Sequence, residues 1–320
     1  MKMIQGKYGF RDQREQQFPL MVCLEITNVC NLRCIHCPYS EISKREGYIP
    51  EFMEWLEAKK VIDDIAVFPD TIVRFVCDGE PMMHPDFMQI AEYAKKSGIE
   101  SIGVTTNGMF LNEDKAKKLV KLNCDIIEVS IDALHKSTYE KIRRGGDFDL
   151  VIKNTSKLIE LRDILNKKVK IIVSIIDQPD VSHEIEEFKK YWQGKADKVL
   201  IRKLTSIGGL VDNISGENKK TSAVSRWPCP LLWRRMFINV GGLAEFCVDD
   251  WLDESVVGDA RKESLREIWN CQAYQQLRHA HLKKEFSLNK KCEFCVDWPA
   301  RTWECDYLSA LESLGIKKYE

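Results

Sequence analysis

Apolar and polar positions along the first two thirds of the chain follow two alternating periods. Six short apolar runs are typical of β-strands; they cover residues 21–26, 71–77, 101–105, 125–131, 169–176 and 198–202. Between them, apolar residues recur at helical spacing and predict helices over residues 50–67, 87–97, 137–143, 148–165 and 183–192, with another after Asn112 as its N-cap. This alternation predicts right-handed βαβ units and a parallel sheet, with the chemistry at the carboxyl ends of the strands.

The alternation ends near residue 210, and the remainder of the chain has a different composition. Residues 212–225 are polar and predict a linker, and the segment after them is rich in cysteine with only short apolar runs. We therefore predict two domains, at residues 1–211 and 212–320. Two domains also suit a chain of 320 residues at roughly 150 residues per domain.

Charge and terminal sequence restrict the class of protein. The 48 Lys and Arg residues nearly cancel the 49 Asp and Glu residues, so no basic excess favours nucleic acid or an anionic membrane as a partner. Residues 1–20 lack the apolar core of a signal peptide, and no apolar stretch approaches the roughly 18–20 residues of a membrane span. We expect a soluble, cytoplasmic protein with no nucleic-acid or membrane partner.

The chain has twelve cysteines, and their spacing points to a metal centre. Without a signal peptide, metal binding is favoured over disulfide bonds. Cys30, Cys34 and Cys37 form a C-x3-C-x2-C pattern directly after the first predicted strand. Three thiolates on one loop can converge on one metal centre, and without a local fourth ligand they leave a coordination position open. A zinc site completed by His36 is the alternative.

This trio and four further segments resemble the radical S-adenosylmethionine (SAM) enzymes. In chain order the segments are Asp78-Gly79-Glu80-Pro81, Thr105-Thr106-Asn107-Gly108, Ser130-Ile131-Asp132 and Tyr139-Glu140-Lys141-Ile142-Arg143. The resemblance spans the whole chain and implies an α/β fold built on a partial (β/α)6 TIM-like barrel. It also implies that the three cysteines hold a [4Fe-4S] cluster whose fourth iron binds SAM. Cleavage of SAM would give a 5′-deoxyadenosyl radical that abstracts hydrogen from carbon.

The same resemblance implies which residues contact SAM. These cofactor-binding candidates are His36, Gly79, Glu80, Pro81, Asn107, Ser130 and Arg143. His36 would lie near the adenine, the Glu80 loop would face the amino group of SAM, and Arg143 would face its carboxylate. Asp78 stands where the family's G-G-E-P motif has its first glycine. Taken alone, each segment also fits a plain structural role as a turn or a solvated charge.

Four later cysteines resemble the SPASM/twitch extension of these enzymes. Cys229 and Cys247 precede a helical segment at residues 264–269, and Cys292 and Cys295 form a C-x2-C pair after it. The resemblance implies a small cysteine-rich α+β domain in which these four residues bind one auxiliary [4Fe-4S] cluster. A purely structural zinc site is the alternative.

The remaining cysteines and two histidines are interpreted from their surroundings. Cys305 is a core residue, a ligand in place of one of the four, or a hydrogen-atom donor to a substrate radical. The others are predicted to be structural: small buried hydrophobic residues at Cys23, Cys77 and Cys124, a thiol inside a helix at Cys271, and surface helix residues at His279 and His281.

The leading hypothesis is a radical SAM oxidoreductase acting on a carbohydrate- or polyol-like small molecule, since similar enzymes with a single auxiliary cluster oxidise such substrates. The auxiliary cluster would accept the second electron of the oxidation. A low-potential donor such as flavodoxin or ferredoxin would supply the electron that cleaves SAM. Arg202, at the end of the sixth strand, is the catalytic candidate for contacting a substrate hydroxyl or phosphate. Its alternative is a salt-bridged structural arginine.

Three other functions stay open. An epimerase would return a hydrogen atom to the substrate from Cys305. Peptide modification is common among SPASM proteins, but residues 1–20 before the first strand leave no room for a separate leader-peptide domain. An electron carrier or a zinc-binding interaction module would need neither an open iron nor the Gly79-Glu80-Pro81 loop.

Overall fold

A computed structural model of the protein describes residues 8–211, 226–304 and 307–316. All six predicted strands are present, as β1 (Met21–Leu24), β2 (Ile72–Phe75), β3 (Ser101–Thr106), β4 (Ile126–Ser130), β5 (Lys170–Asp177) and β6 (Lys198–Lys203). The last third of the chain adds β7 (Arg235–Ile238), β8 (Leu243–Glu245) and β9 (Val256–Asp259).

The α-helices of the described residues fall into two sets. The first accompanies the six parallel strands: α1 (Gln13–Gln17), α2 (Tyr39–Ile42), α3 (Trp55–Ala66), α4 (Phe87–Lys96), α5 (Glu113–Lys121), α6 (Lys136–Ile142), α7 (Phe148–Leu165) and α8 (Ile185–Trp192). The second belongs to the last third: α9 (Leu231–Arg234), α10 (Leu265–Trp269), α11 (Gln272–Lys283), α12 (Lys290–Glu293) and α13 (Tyr307–Glu312).

The strands form one nine-stranded sheet in the order β6-β5-β4-β3-β2-β1-β7-β8-β9. Strands β1 to β6 are parallel and follow one another in chain order, as right-handed βαβ units require. This confirms the α/β fold with the parallel sheet of a partial barrel. Strand β7 pairs in parallel with β1, and β8 and β9 continue antiparallel, so the sheet runs on into the cysteine-rich region.

The helix limits follow local hydrogen bonding. Asn112 is the predicted N-cap of α5, and its side chain accepts from the backbone N–H of Lys115 at 2.9 Å. The helix predicted from residue 50 begins only at Trp55. Residues 50–53 are extended because the N–H of Met53 donates to the carbonyl of Ile26 at 2.8 Å, along the continuation of β1.

Two apolar clusters lie on opposite faces of the sheet. One face packs against helices α3 to α8 through residues such as Val22 and Val73. The other face is covered by the last helix, α13; its cluster consists of Leu20, Met21, Cys23, Ile72, Ile126, Ile172, Leu231, Phe237, Tyr307, Leu308 and Leu311. Several of these are the first residues of their strands, so α13 fills the amino-terminal end of the barrel and leaves the carboxyl end open. The sequence did not predict this return of the chain.

The predicted linker, residues 212–225, lies outside the described residues, and the domain boundary was predicted at its start. The division into residues 1–211 and 212–320 therefore stays a prediction. None of the helices in residues 8–211, 226–304 and 307–316 combines the length and apolar character needed to cross a bilayer.

Candidate active site between two cysteine groups

A cavity of about 640 Å³ lies at the carboxyl ends of the parallel strands. The cysteine trio lines it directly, together with the loops that follow β2, β3, β4 and β6. Its far wall carries neighbours of the second cysteine group: Pro230, Val248, Asp249 and Arg301. The cavity therefore lies between the two cysteine groups, at the edge where the sheet topology predicts the chemistry.

Cys30, Cys34 and Cys37 share a short loop after β1 and all face the cavity. Burial raises the pKa of Cys30 to about 12, and it also raises the pKa of Cys34 and Cys37; the neighbouring thiols add to the shift at Cys30 and Cys37. Such thiols stay protonated until a metal takes the place of the proton. Within the described residues, no three His, Cys, Asp or Glu side chains could hold a single metal ion. Iron–sulfur cubes are held by cysteine thiolates, the residue type that this trio supplies.

Gly79 lets the loop after β2 pack directly on the loop that carries the cysteines. A Cβ atom at Gly79 would stand 2.2 Å from the carbonyl oxygen of Thr27 and 2.8 Å from the backbone N of Val29. The next residue is bound to the same loop, because the N–H of Glu80 donates to the carbonyl of Val29 at 2.8 Å. Only glycine fits this contact.

Glu80 joins the loops after β2 and β3. Its buried carboxylate accepts from the hydroxyl of Thr106 and from the backbone N–H of Asn107, both at 2.7 Å. The amide of Asn107 donates in turn to the side chain of Asn31 at 2.8 Å and lies 3.9 Å from Sγ of Cys30. Two of the predicted SAM-contacting residues thus form one network with the cysteine loop. Pro81, a third, begins a short 3₁₀ turn below the cavity.

Asp132 organises the wall formed by the loops after β4 and β5. One of its carboxylate oxygens accepts from Nε and NH2 of Arg143, at 2.9 and 2.6 Å, and the other accepts from the backbone N–H of Ile176 at 2.8 Å. Nε2 of His36 lies 3.4 Å from Asp132, and Nδ1 lies 3.4 Å from the amide of Gln178. Both ring nitrogens of His36 are therefore engaged, which does not favour His36 as a zinc ligand.

The predicted SAM-contacting side chains on this wall remain at the cavity. Arg143, His36 and Ser130 all line it. Burial lowers the pKa of His36 to about 4, even though Asp132 opposes that shift, so the imidazole is neutral near pH 7. The hydroxyl of Ser130 lies 3.4 Å from that of Ser174 on β5.

Arg202 reaches the cavity from β6 and is also part of a salt bridge. Its guanidinium donates to Glu128 at 2.7 Å, and Arg74 donates to the other oxygen of the same carboxylate at 2.7 Å. Against its burial, Arg202 and Arg74 lower the pKa of Glu128 to about 2. The ring of Tyr307 covers the guanidinium of Arg74 at 3.7 Å. Two guanidinium groups therefore share one carboxylate beneath the cavity, which leaves a surplus of positive charge.

The second cysteine group also comes together in space. Burial raises the pKa of Cys229 to about 11 and that of Cys292 to about 12, and it raises the pKa of Cys247 and Cys295 as well. The charge of Cys292 acts on Cys247, and those of Cys229 and Cys295 act on Cys292, so the four thiols lie within electrostatic range of one another. Four such thiols fit the ligand set of an iron–sulfur cube.

A cluster of buried carboxyl groups lies between the two cysteine groups. The carboxylate of Glu25 accepts from the backbone N–H groups of Asp78 and Val240, both at 3.2 Å. Burial nevertheless raises the pKa of Glu25 to about 7. Burial, with Glu25 and Glu245 nearby, also holds the pKa of Asp78 well above its usual range. These carboxyl groups are uncharged at a pH where ordinary surface carboxylates are ionised.

We expect the free energy of unfolding to decrease as the pH rises through about 7. The pKa of Glu25 is higher in the folded protein than in the unfolded chain, so its contribution is complete below the unfolded value and is lost above the folded value. Replacing Glu25→Gln should remove on the order of 3 kcal/mol of this pH dependence. Denaturant unfolding of the reconstituted protein at several pH values measures the difference. The exposed Glu41→Gln variant is the control, and equal slopes for both variants would contradict the assignment.

Several predictions about single residues need correction or stay untested. Cys305 lies outside the described residues. Cys271 is not inside a helix but precedes α11 as its N-cap, because its N–H already donates to Ile268 at the end of α10. Cys23 and Cys124 are buried as predicted, whereas Cys77 lines the cavity because β2 ends before it.

His281 is not a surface residue, as its position in a polar helix had suggested. Its side chain is 1% exposed, and Nδ1 accepts from the backbone N–H of Cys229 at 3.2 Å. Helix α11 turns this face toward the second cysteine group. Glu128 and Tyr307 were likewise not singled out, and Asp132 was named only as part of a motif, since only the folded chain shows which charges these residues contact.

Known protein families match both the parallel-sheet region and the cysteine-rich region of this chain. The model of the Radical SAM superfamily matches residues 24–190, and that of an iron–sulfur cluster-binding domain, SPASM, matches residues 229–296. A protein of Pyrococcus furiosus described as a tungsten-containing aldehyde ferredoxin oxidoreductase cofactor-modifying protein is 30% identical, covering 90% of this chain and 89% of the relative. The chain spans about half the length of other curated relatives that it matches, 41% of one and 52% of another.

Two solved structures share the fold at low sequence identity. BtrN in complex with AdoMet and 2-DOIA has a TM-score of 0.60 at 17% identity, covering 89% of this chain and 95% of BtrN. SuiB of Streptococcus suis bound to its precursor peptide SuiA has a TM-score of 0.67 at 14% identity, covering 92% of this chain and 73% of SuiB.

Proposed function

Since the chain belongs to the radical SAM superfamily and carries a C-terminal SPASM domain, we propose that it is an enzyme that oxidises a carbohydrate- or polyol-like small molecule. SAM and a [4Fe-4S] cluster are the cofactors of this superfamily, and the SPASM domain holds auxiliary iron–sulfur clusters. When bound, these cofactors supply a 5′-deoxyadenosyl radical that removes a hydrogen atom from carbon and an iron–sulfur centre that takes up a second electron.

The observation that carries this proposal is the shared cavity. The cysteine trio lines one wall, and residues that flank Cys229 and Cys247 form the other. A substrate in this space lies near both metal centres, and holding it there replaces a chance encounter by a fixed geometry. We assign Cys30, Cys34 and Cys37 to the SAM-binding cluster. The auxiliary cluster is assigned to Cys229, Cys247, Cys292 and Cys295.

The remaining residues of the site hold the cofactor loops in place and orient the groups that contact SAM. Asn107, through Asn31, fixes the loop that carries Cys30, while Asp132 holds Arg143 at the cavity, where the family places the carboxylate of SAM. Gly79 keeps the two cofactor loops in contact. The predicted contacts of His36, Glu80, Pro81 and Ser130 with SAM stay proposals of the same kind.

The charges of the cavity favour a substrate with hydroxyl or phosphate groups. Arg202 lines the cavity and shares its only carboxylate partner among the described residues, Glu128, with Arg74. Lys203, which follows it, is exposed at the same wall. Guanidinium and ammonium groups bind such oxygens well.

The oxidation converts a carbon–oxygen single bond to a carbonyl. The carbon loses one hydrogen atom, the hydroxyl loses its proton, and one further electron leaves. Asp78 lines the cavity, and in its ionised form it is the carboxylate that accepts this proton; because burial and the neighbouring Glu25 and Glu245 raise its pKa, that carboxylate is a stronger base than an ordinary one. The electron that cleaves SAM comes from a low-potential donor such as flavodoxin or ferredoxin.

A second candidate substrate follows from the Pyrococcus relative, which matches nearly the whole chain. That protein is described as modifying the cofactor of a tungsten-containing aldehyde ferredoxin oxidoreductase, so a cofactor of this class is the second substrate to test. SuiB is bound to a precursor peptide, so peptide modification is an alternative function. Epimerisation with Cys305 as the hydrogen donor is the remaining alternative function.

The test is an anaerobic incubation with SAM and dithionite in which 5′-deoxyadenosine is measured while polyols, sugar phosphates and peptides are added one at a time. We expect a polyol or sugar phosphate to stimulate release and to gain a carbonyl. A product without a carbonyl that carries deuterium from solvent would establish epimerisation instead. Stimulation by peptides alone would overturn the small-molecule assignment.

A further inference from the structure

Arg226 is a buried cation beside the second cysteine group. Its side chain is 7% exposed, and NH1 donates to the carbonyl oxygen of Cys292 at 2.7 Å. The guanidinium carbon lies 3.9 Å from the centre of the Phe286 ring. Its Nε is buried and makes no hydrogen bond. One face of the guanidinium thus rests on an aromatic ring, and one of its N–H groups has no acceptor.

Two other cations near these thiols have carboxylate partners. Arg301 is paired with Asp249 at 2.7 Å, and Lys291 with Asp250 at 3.2 Å. Within the described residues, Arg226 forms no ion pair, in contrast to Arg301 and Lys291.

The guanidinium of Arg226 lies against the segment that carries Cys292 and Cys295. Its NH1 donates to the carbonyl oxygen of Cys292 at 2.7 Å, and its charge interacts with the thiols of Cys229, Cys292 and Cys295. The positive charge therefore lies beside three of the four cysteines.

A buried charge without a partner is strongly destabilising, so a charge kept in such a place normally has a counter-ion. Four thiolates around an iron–sulfur cube carry a net negative charge, and sulfur accepts hydrogen bonds. We propose that Arg226 is the counter-ion of the auxiliary iron–sulfur site and raises its reduction potential. This inference rests on the assignment of Cys229, Cys247, Cys292 and Cys295 as the ligands.

The sign of the effect follows from electrostatics. Adding an electron makes the site more negative, so a nearby positive charge stabilises the reduced form more than the oxidised form. A higher potential makes the site a better acceptor for the electron that leaves the substrate. Arg226 is therefore a positioning residue that acts through the cluster.

The test is a redox titration, followed by electron paramagnetic resonance, of the reconstituted full-length enzyme and its variants. The signal of the SAM-binding cluster is separated because it changes when SAM is added. For Arg226→Gln, we expect the ratio of reduced to oxidised auxiliary cluster at a fixed potential to fall by about tenfold or more. Arg226→Lys, which keeps the charge, should stay within about threefold of the wild type.

Lys290→Gln is the matched control, because it removes the same charge from an exposed position on α12 and solvent screens that charge. It should leave the ratio unchanged. An unchanged ratio in Arg226→Gln with full iron content would overturn the proposal and leave Arg226 with a packing role only.

The iron content of the variants distinguishes the remaining outcomes. If Arg226→Gln loses the auxiliary cluster while Arg226→Lys keeps it, the charge is needed and the proposal stands. If both lose it equally, shape rather than charge decides, and the proposal fails. An unchanged iron content in Cys292→Ala would instead show that the ligand assignment itself is wrong.

Discussion

Replacement of Cys30, Cys34 and Cys37 by Ala is expected to lower the release of 5′-deoxyadenosine from SAM by more than about a hundredfold. Mutating residues that hydrogen-bond to metal ligands typically lowers metal affinity or activity by about 10–100-fold. Loss of the ligands themselves should therefore lower activity further. The three thiols line the cavity together, whereas none of the four cysteines of the second group lines it. Chromatography after anaerobic incubation with dithionite measures the nucleoside.

Cys124→Ala provides the control for that triple variant. Cys124 is 1% exposed and packs in the core with its thiol near the carbonyls of Ile102 and Ile126, far from the cavity lining. The Cys124→Ala variant should cleave SAM at a rate close to that of the wild type. SAM cleavage at the wild-type rate by the triple variant would show that the trio does not bind the cluster.

Replacing Cys292→Ala is expected to separate SAM cleavage from product formation. Cys292 is buried in the second group, and its thiol is in electrostatic contact with Cys229 and Cys295. Because the proposal places SAM at the other cysteine group, 5′-deoxyadenosine release should stay within about tenfold of the wild type. Product should fall by more than about a hundredfold, since the ligand shell of the electron acceptor is incomplete. The ratio of product to 5′-deoxyadenosine measures both effects in one sample.

Cys271→Ser is the matched control for this second variant. It lies in the same region of the chain, but its thiol donates to the carbonyl of Val257 at 3.6 Å and is not part of the group of four. It should leave the ratio unchanged. If Cys292→Ala and the triple variant lose both activities alike, the division of roles between the two cysteine groups is wrong.

Local features of the sequence determined most of the barrel. Each of the six parallel strands is a short apolar run, and helices α3 to α8 each have an apolar face, so these elements were predicted from periodicity alone. The short helices α1 and α2 were not predicted. The trio was also predictable because all three of its members lie on one loop. Gly79 and Asn107 came from motif resemblance, and the structure adds the contacts that they make.

Features that depend on distant parts of the chain could not be predicted. Tyr307 contacts Arg74 only because α13 packs back into the barrel, and no local sequence pattern predicts this packing. His281 looks like a residue of a polar helix until α11 packs against Cys229. Asp132 was identified only as the last residue of a motif, although its carboxylate binds Arg143 at the C-terminal end of α6.

The most direct test of the central claim is the electron paramagnetic resonance spectrum of the dithionite-reduced protein with and without SAM. If three early thiolates leave one iron open, we expect an iron–sulfur signal that changes when SAM is added, in the wild type and in Cys292→Ala, but not in the Cys30, Cys34 and Cys37 triple variant. A signal in Cys292→Ala that is indifferent to SAM, or zinc in place of iron at the trio, would contradict it.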